Sequence, residues 1–108
     1  MAASSTVRAL RVHALGEPPR LDRVSLPAPG RGEALVRLEA TVISHHDLGV
    51  ATGVLPAGQP LPFVPGLEGA GRVEVAGEGV DLEPGTRVRV LGGGLGTVRP
   101  GTWSEAVI

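Results

Sequence analysis

The chain has 108 residues, 42% of them hydrophobic and only 2% aromatic, with 17 glycines and 10 prolines; this fits one domain with an aliphatic core and many tight turns. A net charge of -1 gives no electrostatic attraction to nucleic acid or an anionic membrane surface. Cysteine is absent, which excludes disulfides, thiolate metal sites and a Cys nucleophile, and no apolar run approaches a membrane span, so a soluble cytoplasmic protein is expected.

In chain order, Val7–His13 and Leu21–Leu26 are predicted strands, separated by the breaker cluster Gly16–Pro19. After a turn at Pro27–Gly32, the segment Glu33–Ile43 alternates with period two. Ala34, Val36, Leu38, Ala40 and Val42 share one face, and Arg37, Glu39 and Thr41 share the other. Ser44 suits a helix N-cap and Gly53 a C-cap, which predicts a short helix between them. Beyond the Pro-rich stretch Leu55–Pro65 come further strands. Val73 and Val75 oppose Arg72 and Glu74 in Arg72–Ala76, Val88 and Val90 oppose Arg87 and Arg89 in Thr86–Leu91, and Thr102–Ile108 closes the series. Gly77–Gly85 and Gly92–Gly101 read as turns. Gly92–Gly96 lacks the Lys-Ser/Thr ending of a phosphate loop, and no G-x-G-x-x-G occurs anywhere in the chain. Several short strands and one helix predict a mainly β domain over 1–108, a small barrel or sandwich, and the final strand is expected to be cut off at Ile108.

The most informative segment runs from Pro62 to Val80. Gly66, Gly69 and Gly71 surround one charged residue, Glu68, where they permit close backbone approach or positive φ, and a Gly-Glu-Gly-Val turn follows at 77–80. Gly32–Leu38 lies before this segment, and Pro84–Val88 and Gly101–Glu105 after it. Together these blocks resemble the signature of the medium-chain dehydrogenase/reductase superfamily, from about Val7 to Ile108. The resemblance implies a GroES-like, partly open β-barrel with one short helix, the N-terminal catalytic-side domain, lacking the Rossmann domain and the segment that returns after it. In the zinc alcohol dehydrogenases of that superfamily a Cys before the helix and a His in a Gly-His-Glu motif hold catalytic zinc. The corresponding positions here are Ser44 and Leu67, which resembles the zinc-independent quinone oxidoreductase branch. That branch usually carries Asn-Pro where Ser44 and His45 stand and often Tyr near Leu55; these positions differ, while Asp47 is retained.

The resemblance thus implies reduction of a quinone or enone by hydride from NADPH, with no zinc, and an isolated chain that is inactive. It implies Ser44, His46 and Asp47 as catalytic positions, Ser44 and His45 facing the cofactor, and Leu55 and Leu67 in a substrate cleft. Each has a plainer reading alongside. Ser44 is either an N-cap or a donor toward nicotinamide and substrate. Adjacent residues on a helix lie about 100° apart, so His45 and His46 do not converge easily on one metal ion, and capping with local hydrogen bonding accounts for His45-His46-Asp47. His46 stands where zinc-dependent relatives keep a proton-relay hydroxyl. Asp47 is read as orienting the helix start, and Glu68 as a buried structural carboxylate rather than a general base. Exposed sheet edges predict self-association, with no nucleic-acid or membrane partner. The alternative function is a stand-alone GroES-like binding or assembly module, which ring formation with a fixed stoichiometry would favour.

Overall fold

The computed structural model describes residues 5–108. Its elements are β1 (Ser5–Arg11), β2 (Arg20–Leu26), β3 (Ala34–Thr41), α1 (His45–Thr52), β4 (Glu68–Ala76), β5 (Arg87–Leu91) and β6 (Ala106–Val107). They form a two-stranded ribbon, β1-β2, and a four-stranded sheet in the order β5-β4-β3-β6. Isolated bridges at Ala9–Ser104 and Val12–Phe63 join the ribbon to the rest of the fold. Neither sheet closes on itself, so the mainly β, partly open architecture expected from the sequence is the one found.

All four strand pairs are antiparallel. The ribbon keeps unbroken register from Ser5–Leu26 to Arg11–Arg20. Asp22 fastens it at one end, taking hydrogen bonds from Arg11 Nε at 2.8 Å and His13 Nε2 at 2.5 Å. These two donors, His13 foremost, hold the Asp22 carboxyl below the usual carboxylate pKa.

Three expectations about strands are corrected. Alternation in β3 is broken by register shifts between Leu35 and Val36 and between Leu38 and Ala40. Each shift turns the following residues over, so Leu35 and Val36 are both buried while Ala40 and Val42 face solvent. The predicted strand over Thr102–Ile108 shrinks to Ala106–Val107, because the backbone N–H groups ahead of it bond elsewhere. Gly101 donates to Val64 O, Thr102 to Gly66 O and Trp103 to Pro65 O. β4 in turn begins at Glu68, four residues before Arg72 where alternation first became legible.

The core is a set of small aliphatic clusters. Val12, Val50, Ala51 and Phe63 hold the helix against the chain between β1 and β2 and the Pro-rich loop. Val7, Leu35 and Ala106 join the ribbon to the sheet. Ala9, Val64 and Trp103 pack beside them, and Val36, Leu95 and Val107 line the sheet's other side. Full burial of such a side chain contributes about 1.5–3 kcal/mol, so Phe63 and Val50 are the chief anchors of α1.

Candidate functional site

The site is built where β3 ends, α1 begins and β4 starts. Ser44 has an extended backbone and caps α1: its Oγ accepts the Asp47 N–H at 3.2 Å. Asp47 reciprocates, its Oδ2 accepting the Ser44 N–H and the Ser44 hydroxyl, each at 2.9 Å. This capping box satisfies helix-start groups that otherwise lack partners. At the other end Gly53 adopts a left-handed conformation (φ 85°) and its N–H bonds Val50 O. Asp47 is buried by the fold around it, at 1% exposure.

Ser44 and Asp47 face a cavity of about 370 Å³ that Leu67, Glu68, Leu91, Gly92, Gly94, Leu95 and Thr97 also line. Residues far apart in sequence are thereby brought together. Glu68 departs from the expectation of a buried structural carboxylate. Its side chain is 35% exposed and pairs with Arg89, whose Nη2 lies 2.8 Å from Glu68 Oε2. The antiparallel register places Glu68 opposite Leu91, two residues from Arg89 and on the same face.

The other named residues lie apart from this cavity. His45 is exposed and His46 half-buried on the first turn of α1, and His46 Nδ1 is buried without a hydrogen-bond partner. The Leu55 side chain lies against Gly49 and its N–H bonds Gly49 O at 3.0 Å, so it covers the helix rather than the cavity. Sequence reasoning missed the wall formed by Leu95 and Thr97. They lie in a glycine-rich segment with no periodic signal, and Thr97 Oγ1 bonds back to Gly94 O at 3.0 Å.

Ser44 as a free oxyanion donor conflicts with this geometry, since its N–H and its hydroxyl hydrogen both go to Asp47 Oδ2. The unpaired donors at the helix start are the backbone N–H groups of His45 and His46, which have no intrahelical acceptor. Zinc also fits the site poorly: Leu67 brings no ligand atom, the Ser44 hydroxyl is engaged, and among the described residues no three His, Cys, Asp or Glu side chains group to hold a metal.

An antiparallel open barrel with a capped helix feeding a glycine-flanked turn is the fold of GroES-like domains, and the family description "Alcohol dehydrogenase GroES-like domain" matches residues 30–108. The chain belongs to that family, within the medium-chain dehydrogenase/reductase superfamily. It is 36% identical over 85 residues to an alcohol dehydrogenase of Moraxella sp. (strain TAE123), covering 78% of this chain and 25% of the relative. It is 44% identical over 82 residues to the human synaptic vesicle membrane protein VAT-1 homolog, covering 75% of this chain and 19% of that protein. Among solved structures, a cobalt- and zinc-bound thermostable alcohol dehydrogenase from Pyrobaculum aerophilum superposes with a TM-score of 0.85 at 30% identity, covering 95% of this chain and 39% of that one. The chain thus spans about a fifth to a quarter of the length of these curated relatives. No helix among the described residues is long and apolar enough to cross a membrane.

Proposed function

We propose that this chain is the substrate-side, N-terminal domain of a zinc-independent oxidoreductase that reduces a quinone or enone with NADPH. The observation that carries the reading is the pairing of a GroES-like dehydrogenase domain with Ser44 and Leu67 at one cavity, two side chains that do not suit a catalytic zinc. A cytoplasmic setting is part of the same reading.

When bound, NADPH supplies the hydride; this chain supplies one wall of the cleft. Apolar Leu67 and Leu95 keep water away from that wall. Tight nucleotide binding does not fit the described residues, which pair only antiparallel strands and hold no βαβ unit for a pyrophosphate. A second groove of about 870 Å³, lined by Leu10, Leu21, Leu38, Ile43 and Leu48, supports a domain that packs against further structure.

The test is to titrate NADPH into the purified chain, following nicotinamide fluorescence, and to assay NADPH oxidation with 2-cyclohexenone. Neither low-micromolar binding nor turnover is expected from these 108 residues alone. A low-micromolar Kd overturns the assignment of nucleotide binding to sequence outside them. In the absence of such a partner we further propose that the chain self-associates through its sheet edges.

A further inference from the structure

A pocket of about 400 Å³ between β2 and the stretch 59–64 shares no lining residue with the Ser44 cavity. Val24, Leu26, Pro62 and Ile108 give it accessible apolar walls over a floor of buried Phe63 and Val64. Two guanidiniums, Arg11 and Arg99, line it against one carboxylate, Glu33, so its lining is net positive. Glu33 is exposed and turned to Gly30, whose N–H its Oε1 accepts at 2.7 Å. Arg99 is spent on backbone, with Nε donating to Gly93 O at 2.7 Å and Nη1 to Ile108 O. Arg11 differs. Its Nε donates to Asp22 Oδ2 at 2.8 Å, and Asp22 lies outside the pocket. Among the described residues the two terminal nitrogens of Arg11 make no hydrogen bond, and neither is buried. Asp22 thus orients a guanidinium whose outer edge stays open.

We propose that this pocket binds a small carboxylic acid with a short branched chain, its carboxylate on Arg11 and its chain against Val24, Leu26 and Pro62. The open edge of a guanidinium carries parallel N–H groups that match the two oxygens of a carboxylate. Gln59 adds a neutral donor, since its Nε2 gives one hydrogen to Val64 O at 3.2 Å and keeps a second. The volume and the apolar walls suit a compact aliphatic body with one polar end. Charge sets the preference. A net positive lining repels an amine, and a neutral amide of the same shape forgoes the charge-assisted bonds. The assignment does not rest on the reductase reading, because the pocket is separate from the Ser44 cavity.

The probes are 3-methylbutanoate and 3-methylbutanamide, nearly equal in shape, titrated separately at neutral pH into the isotope-labelled chain while NMR shifts are followed. The carboxylate is expected to bind at least about ten-fold more tightly than the amide, with saturable shifts at the Val24, Leu26 and Val64 amides. Arg11→Gln is expected to abolish that preference. Should the variant fail to fold, the Arg11 Nε–H resonance of the unsubstituted chain decides, moving with the carboxylate and not with the amide. Equal affinity for the two probes, or shifts confined to Ser44 and Thr97 at the other cavity, overturns the proposal. Tighter binding of a peptide ending in a free leucine carboxylate assigns the pocket to a chain terminus and overturns the free acid.

Discussion

At the residue scale, the glycines differ sharply in what surrounds them, and Gly66 and Gly79 separate two costs that sequence alone merges. Both have positive φ, 113° and 81°. A Cβ at Gly79 would meet nothing within 4 Å, whereas one at Gly66 would lie 2.6 Å from Thr102 N and 2.8 Å from Trp103 Cδ1. Gly79→Ala carries only the left-handed backbone penalty, about 1–2 kcal/mol. Gly66→Ala adds a clash with backbone that cannot turn aside, and with it the loss of the bond from Thr102 N–H to Gly66 O. It is expected to cost more than about 3 kcal/mol. Urea unfolding of the two variants checks this, with the fall in midpoint for Gly66→Ala at least twice that for Gly79→Ala. Equal shifts would mean that the 64–66 segment and Thr102–Trp103 do not pack as described.

At the element scale, α1 shows what local sequence makes legible. Its bounds follow from residues three or four apart: Ser44 with Asp47 at the start, Gly53 with Val50 at the end. Ser44→Ala removes the acceptor for Asp47 N–H and one of the two donors to Oδ2, and is expected to destabilise the chain by about 1–2 kcal/mol. Thermal melting followed by far-ultraviolet circular dichroism measures it, and an unchanged Tm would show that the cap contributes nothing. Strand β3 was less legible because its two register shifts depend on which β4 residues lie opposite, information held some thirty residues away. Thr102–Ile108 misled for a similar reason: its N–H groups serve the 64–66 turn, a partner that alternation does not announce. The same division runs through the site. Ser44, Asp47, Leu67 and Glu68 share a cavity, whereas the loop folds the Leu55 side chain onto Gly49, a contact that sequence does not announce. The unpartnered Oδ1 of Asp47 emerges only from atomic neighbours and has no sequence signature.

At the scale of the whole molecule, two surfaces are candidates for the self-association proposed above. One is the groove beside α1, where Ile43 and Leu21 are 67% and 63% exposed; the other is the free edge of β5, where Leu91 is 56% exposed. A bare strand edge offers a row of backbone hydrogen bonds to a second copy, while the groove offers area without direction. The β5 edge also carries Arg87 and Arg89, both exposed. Antiparallel pairing of two β5 edges sets these arginines near their counterparts, and like charges facing each other across a strand pair oppose association. Salt screens that repulsion, so pairing through β5 is expected to tighten several-fold between about 0.05 M and 0.5 M NaCl, as the screening length falls to about 4 Å. Sedimentation at both salts, on the unsubstituted chain and on Leu91→Arg and Ile43→Arg, separates the surfaces. Leu91→Arg adds a third cation to the edge and is expected to give a monomer at low salt, with Ile43→Arg unchanged. A monomer from Ile43→Arg alone, insensitive to salt, would move the contact to the groove and defeat the edge proposal.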